Sequence, residues 1–113
     1  MIFDKAYLLS RLEGDEQLAN EVIALFLDEC PKLLAAVRQV AKRRDASGLE
    51  RAAHRLKGSL GDIAAPQAYH AADKLEQMAR KKNLEDAEAA LESLEDALHC
   101  LANELHDHQL QAT

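Results

Sequence analysis

The sequence has little of what interrupts a helix or stacks on nucleic acid. Its 113 residues include four glycines, two prolines, two tyrosines, two phenylalanines and no tryptophan. Few glycines and prolines favour helix over strand, and few aromatic rings argue against a stacking platform for single-stranded nucleic acid. No apolar run approaches the roughly 20 residues that span a bilayer. A formal net charge of -6 disfavours nucleic acid and anionic membrane surfaces as partners.

Cysteine is also scarce. Cys30 and Cys100 lie far apart without a CxxC spacing, and both occupy apolar positions of the helical pattern, which predicts small buried hydrophobes in a reducing compartment. The first ten residues, MIFDKAYLLS, have neither a basic lead nor a cleavage site. We therefore expect no signal peptide and a cytoplasmic protein.

Helix signals follow one another along the whole chain. Acidic residues and Asn83 stand where helices should be capped, Pro31 predicts a kink within a long second helix, and Pro66 suits a first helical position. The fifth segment carries a leucine seam spaced three and four apart. The predicted helices run from about Asp4 to Glu13, from Asp15 to the basic run at 42–44, from Asp45 to Ile63, from Pro66 to the KKN at 81–83, and from Asn83 to about His106.

This pattern predicts an all-α fold. Amphipathic helices joined by short loops form an antiparallel four-helix bundle, with the short amino-terminal helix packed as a lid. The length suits one domain over residues 1–113 with a single core. We expect an ordered core from about residue 4 to 106 and a frayed tail over 107–113.

One stretch of the third helix, AAHRLKGSLGDIAA at residues 52–65, contains two glycines that a helix interior should disfavour. On a helical wheel centred on Leu56, the apolar residues share one face, while His54 lies at about 160° from it. Gly58 and Gly61 flank His54 at about 200° and 140°. The sequence thus predicts a solvent-facing imidazole on an open patch.

Lys57 lies one turn from His54 and can reach a group attached to its ring. A neutral imidazole is a nucleophile, and a neighbouring ammonium can balance the charge of a phosphoryl group. The sequence has no GxxxxGK[ST], no glycine-rich nucleotide loop and no acidic cluster suited to magnesium. A partner must therefore supply the phosphoryl group, and we expect no kinase activity from this chain itself.

The heptapeptide AHRLKGS at 53–59 resembles the signature of histidine-containing phosphotransfer (HPt) domains, and GDEQLANEVIALFLDECPKLL at 14–34 resembles the second helix of that family. The resemblance covers about residues 7–101. It implies that His54 accepts a phosphoryl group at Nε2, that Lys57 stabilises it, and that Gly58 lets a receiver domain approach.

The same resemblance implies a phosphorelay intermediate between receiver aspartates. The domain would have no cofactor of its own, Mg²⁺ would come from the receiver, and the partners would be response regulators and a hybrid sensor histidine kinase. Family members commonly carry Gly-Ala where this chain has Ala64-Ala65, after Asp62 in place of a frequent asparagine. This departure leaves open the geometry of the turn into the fourth helix.

The second helix has a wide apolar arc made of two stripes. The first contains Leu18, Val22, Leu25, Phe26, Leu33 and Val37, and the second contains Ile23, Leu27, Cys30 and Leu34. The second stripe either packs under the first helix or leaves Ile23 and Leu27 exposed as a receiver-docking patch. Arg51 and Arg55 flank His54 and form either a polar rim of that patch or an ordinary solvated face.

Two other functions compete with phosphotransfer. The carboxyl-terminal His99, Cys100, His106 and His108 offer metal-ligand types, but their spacing matches no helical ligand pair, so we expect no metal site. A helical adaptor without phosphotransfer is the main alternative. The glycines argue against it, because a scaffold gains nothing from a weakened exposed helix. A monomer is expected, since the histidine must stay accessible.

Overall fold

The structure, a computed structural model, describes the backbone of residues 1–112 and side chains through Gln109. Aspartates cap the first three helices: Asp4, Asp15 and Asp45 each accept a hydrogen bond of 3.0 Å from the backbone N–H three residues later. Pro66 opens the fourth helix without a side-chain cap. The helices are α1 (Lys5–Arg11), α2 (Glu16–Lys42), α3 (Ala46–Asp62), α4 (Pro66–Arg80) and α5 (Ala87–Ala112).

Helices α2 to α5 form the predicted antiparallel four-helix bundle, in which α3 packs between α2 and α4, and α5 packs against α4 and α2. The apolar face of each helix turns inward, and the leucines of α5 from Leu94 through Leu105 are buried. No helix within residues 1–112 is long and apolar enough to cross a membrane. The largest fully buried apolar side chains are Leu8, Ile23, Val37, Leu49, Leu56, Leu60, Ile63, Leu75, Leu94, Leu101 and Leu105.

Helix α1 closes one end of the bundle, as the sequence predicts for a lid. Phe3 and Leu8 bury their side chains there. The Asp4 N–H donates to the Ala64 carbonyl at 2.8 Å, and the Arg11 guanidinium donates to the Gly61 carbonyl at 3.2 Å. The lid is therefore tied to the turn between α3 and α4, close to the carboxyl end of the helix that carries His54.

That turn contains a residue in the left-handed region. Ala64 has φ +61°, and the N–H of Ala65 donates to the Leu60 carbonyl at 3.0 Å. This is the position at which a helix usually ends on glycine, since glycine has no Cβ to clash there. The alanine at 64 thus adopts a conformation that costs an L-residue about 1–2 kcal/mol.

Helix α5 differs from the prediction at both ends. It begins at Ala87 rather than after Asn83, because the Asn83 side chain accepts from the Glu85 N–H and holds a separate turn first. It continues through Ala112, beyond the predicted end at His106. Fraying of residues 107–113 stays a prediction, and Thr113 lies outside the described residues.

The expectation of two buried cysteines is wrong for Cys100, which is exposed, while Cys30 is half-buried. Cys100 stands directly before Leu101, which is buried. Adjacent residues on a helix differ by about 100°, so Cys100 turns away from the seam that Leu101 fills.

Candidate functional site

His54 stands in the middle of α3 with 68% of its side chain exposed. This confirms the solvent-facing position that the helical wheel predicts. Its Nδ1 lies 3.1 Å from Oε2 of Glu76 on α4. An ionised carboxylate can only accept a hydrogen bond, so in the neutral imidazole Nδ1 carries the proton and Nε2 keeps its lone pair. Nε2 is therefore on the side of the ring away from Glu76.

Glu76 is the buried carboxylate of the site, with a side chain only 1% exposed. Arg80 Nη2 donates to its Oε2 at 2.8 Å, and Lys57 Nζ lies 2.7 Å from its Oε1. The lysine contact is an ion pair without hydrogen-bond alignment. Burial raises the pKa of the Glu76 carboxyl, but Lys57 and His54 outweigh burial and hold that pKa below its usual value.

Lys57 reaches from α3 toward α4 and is 16% exposed. Besides Glu76, its Nζ contacts Oδ1 of Asp73 at 3.1 Å, and it lies 5.8 Å from the centre of the Tyr69 ring. The Glu76 and Asp73 carboxylates raise the pKa of Lys57, and Lys57 lowers the pKa of Asp73. The ammonium is thus charged and paired with two carboxylates of α4.

Arg80 fixes the far side of Glu76. Its Nε donates to Oε2 of Glu50 on α3 at 3.2 Å, while its Nη2 holds Glu76. The guanidinium therefore joins α3 to α4 one turn below the histidine contact, and limits the positions that the Glu76 carboxylate can take.

The two glycines beside His54 play different parts. Gly58 is exposed, and a Cβ added there would meet nothing within 4 Å. At Gly61 an added Cβ would lie 3.5 Å from the Tyr69 ring, and the residue is half-buried. The expected clearing of the surface is therefore correct for Gly58, whereas Gly61 lies inside the packing between α3 and α4.

A family model described as "Hpt domain" matches residues 21–106, which include His54 and every partner named above. The chain belongs to the Hpt domain family. No curated protein matches this chain significantly. Among solved structures, it is similar to histidine-containing phosphotransfer protein B (HptB) from Pseudomonas aeruginosa PAO1, with a TM-score of 0.89 and 22% identity over 96% of this chain and 95% of that chain.

It is also similar to the HPT domain of a sensor hybrid histidine kinase from Shewanella, with a TM-score of 0.83 and 18% identity over 96% of this chain and 94% of that chain. At these identities the two structures confirm the helical fold. Membership of the Hpt domain family makes the chain a phosphorelay intermediate, the kind of domain that exchanges phosphoryl groups with receivers and hybrid kinases.

The exposed apolar surface of this Hpt domain differs from the predicted one. Ile23 is fully buried and Leu27 is half-buried against the core, so the expectation that Ile23 lines a docking patch is wrong. The exposed residues are instead two members of the first stripe: Leu25 is 70% and Leu18 39% exposed. With the half-buried Val22 between them, they form what we call the α2 stripe.

The physical reason is the rotation of α2 about its axis. The buried face of α2 takes residues from both stripes, namely Phe26, Leu33 and Val37 from the first and Ile23 from the second. Val22 and Leu25 line a shallow groove between α2 and α3, opposite Ser59 and Asp62. Arg51 and Arg55 are exposed on α3, and Arg51 donates to the Ser47 hydroxyl at 3.3 Å.

The sequence analysis missed Glu76, Asp73, Arg80 and Glu50. One signal was present: Glu76 lies within an apolar row of α4 formed by Ala68, Ala72, Leu75 and Ala79. A carboxylate in such a row must have a charged or hydrogen-bonding partner, because burying it alone is costly. Among the side chains that the structure describes, no group of three or more histidines, cysteines or carboxylates could hold a metal ion.

Proposed function

We propose that His54 is the phosphoacceptor of this Hpt domain and that it reacts at Nε2. The observation that carries this proposal is the contact of 3.1 Å between His54 Nδ1 and the buried Glu76 carboxylate. That contact selects the tautomer with a free lone pair at Nε2 and orients the ring. An exposed histidine with no functional role would not need a buried carboxylate to orient its ring.

In the transfer step, the Nε2 lone pair attacks the phosphorus of an aspartyl phosphate on a receiver domain. An N–P bond forms, the P–O bond to the aspartate breaks, and the aspartate leaves as a carboxylate. The proton on Nδ1 stays on the ring, where Glu76 balances the positive charge that the imidazole gains. Attack by the carboxylate of a second receiver reverses the same bonds.

Lys57 supplies positive charge to the phosphoryl oxygens. Its four-carbon stem is flexible, so the ammonium can move from its carboxylate partners toward a group on Nε2. Mg²⁺ and the acceptor aspartate belong to the receiver in this proposal, and the domain has neither a cofactor nor a catalytic cycle of its own.

The receiver docks over His54 and the α2 stripe. The exposed backbone at Gly58 allows close approach, and Arg51 and Arg55 stand between the histidine and α2 as a basic rim. Such a rim suits the acidic pocket of a receiver aspartate. Gly61 contributes to the packing behind this surface. We propose that the domain acts as a monomer in the cytoplasm, since a second copy on this surface would cover His54.

Transfer from a panel of phosphorylated receiver domains tests the proposal. Label should appear on wild type, be absent from His54→Gln, and form more slowly on Lys57→Ala. His70→Gln is the matched control, because His70 is also exposed on the neighbouring helix α4 and should leave labelling unchanged.

The docking surface is tested with Leu25→Asp, which should weaken transfer from every active receiver. Ala36→Asp adds the same charge at another exposed position of α2 and should not. Folded wild type that takes label from no receiver would contradict the proposal and favour the adaptor function.

A further inference from the structure

We propose that Asp73 is a positioning residue that holds the Lys57 ammonium in the resting domain and thereby sets how strongly His54 retains a phosphoryl group. The inference rests on the proposed function of His54 and Lys57. It assigns a role to a carboxylate that neither accepts nor binds the phosphoryl group.

The resting position of Lys57 is the first observation. Its Nζ lies 3.1 Å from Asp73 and 2.7 Å from Glu76, and only 16% of the side chain is exposed. Both carboxylates belong to α4. The ammonium is thus drawn toward α4 and away from the solvent in which an approaching phosphoryl group would first meet it.

The orientation of His54 is the second observation. Its Nδ1 faces Glu76, so Nε2 lies across the ring on the outer side. A lysine paired to the inner carboxylates is therefore on the wrong side for the phosphoryl oxygens. To stabilise phosphohistidine, Lys57 must break at least one of its ion pairs with these carboxylates. The free energy of the broken ion pair therefore opposes phosphorylation of His54.

Asp73 is the partner that decides this exchange. Glu76 is buried and also held by His54 and Arg80, so its position is fixed by the core. The Asp73 side chain is 38% exposed and contacts Lys57 from the rim of the site. Removing its charge would leave the histidine contact intact while weakening the hold on the ammonium.

The Asp73–Lys57 ion pair therefore shifts the equilibrium from phosphorylated His54 toward the phosphorylated receiver. Exposed ion pairs are modest, so Asp73→Asn should raise the equilibrium ratio of phosphorylated domain to phosphorylated receiver by about 2- to 5-fold. The pKa of Lys57 should fall toward its ordinary value in the same variant. Asp96→Asn removes one carboxylate from the α2–α5 groove and should change neither quantity.

The experiment combines two readouts on the whole domain. The equilibrium ratio is measured with an active phosphorylated receiver and Mg²⁺, for wild type, Asp73→Asn, Lys57→Met and the double variant. The Lys57 titration is followed by NMR without any receiver. Because Asp73 acts through Lys57, its substitution should have no effect on the ratio in the Lys57→Met background.

An equal shift in the Lys57→Met background would overturn the inference, since Asp73 would then act by direct repulsion of the phosphoryl group. An unchanged Lys57 pKa in Asp73→Asn, or an unchanged equilibrium ratio with wild type labelled normally, would also overturn it. Wild type that accepts no label from any receiver contradicts the proposed function instead, which is a distinguishable result.

Discussion

His54 and Glu76 are 22 residues apart in the chain and meet at 3.1 Å, the imidazole on the surface and the carboxylate in the core. The pair connects the solvent-facing side of α3 to the buried side of α4. Arg80 donates to the same carboxylate oxygen at 2.8 Å and helps to hold Glu76 in place. The imidazole of His54 is thus oriented from the interior, and its Nε2 lies on the side away from Glu76.

Glu76→Gln should slow phosphotransfer to His54. The amide can still contact Nδ1, but it cannot balance a charged imidazole. Loss of a charge-assisted hydrogen bond of about 1.5–3 kcal/mol corresponds to roughly 10- to 150-fold in rate. The measurement is the initial rate of transfer from a receiver. Glu50→Gln is the control, since Glu50 contacts Arg80 and not His54; an equal loss there would place the effect in the helix packing.

Stability should fall on acidification because of the depressed pKa values of Glu76 and Asp73. A carboxyl whose pKa is lower in the folded than in the unfolded state contributes stability above its unfolded pKa, and that contribution is lost as pH falls through the folded pKa. Urea unfolding between pH 7 and pH 3 measures it. Wild type should exceed Glu76→Gln in stability at pH 7, and the difference should shrink below about pH 4.5; a constant difference would contradict the assignment.

Gly58→Leu should separate folding from docking. The added side chain meets nothing within 4 Å at its Cβ, and replacing a helical glycine should raise the free energy of unfolding by about 0.5–1 kcal/mol. Transfer from receivers should nevertheless slow, because the side chain stands where the partner approaches. Phosphorylation by the small reagent phosphoramidate should be little changed. Gly58→Ala, with one methyl group, should show the gain in stability with a smaller loss of transfer; full receiver activity of Gly58→Leu would exclude close approach at this point.

Ala64→Gly should stabilise the domain. The residue has φ +61°, which costs an L-residue about 1–2 kcal/mol, and part of this gain is offset by the lost methyl contact because Ala64 is buried. We expect the free energy of unfolding to rise by up to about 1 kcal/mol. Ala65→Gly, at φ -114° in the same turn, should be destabilising instead. If both variants lose stability alike, the backbone conformation at 64 is not the dominant effect.

Much of the fold could be predicted because its determinants are local. Asp4, Asp15 and Asp45 cap helices where the sequence places them, since a cap depends only on neighbouring residues. The prediction that Asn83 caps α5 was wrong. Its side chain does accept from a nearby N–H, that of Glu85, but this contact lies in a turn that precedes α5. The wheel also placed His54 correctly, because α3 has one apolar face and the histidine lies opposite it.

The α2 helix shows where local pattern stops being sufficient. Two apolar stripes satisfy the same periodicity, and the sequence alone did not determine that Ile23 enters the core while Leu25 faces solvent. The orientation of α2 depends on the surfaces of α3 and α5 against which it packs, and the sequence of α2 alone does not contain that information.

The sequence by itself determined that this protein is a helical bundle with an exposed histidine. It also placed a lysine one turn away and an exposed glycine beside them. Each of these features depends on spacing within one helix. Only the tertiary structure decided which groups surround that histidine. From α4, Glu76 contacts His54 and Lys57, and Asp73 contacts Lys57, at distances of 2.7–3.1 Å across the helix interface. Arg80 holds Glu76 within α4. Electrostatic pairing at that range is set by how two helices pack, and the pattern of neither helix contains it.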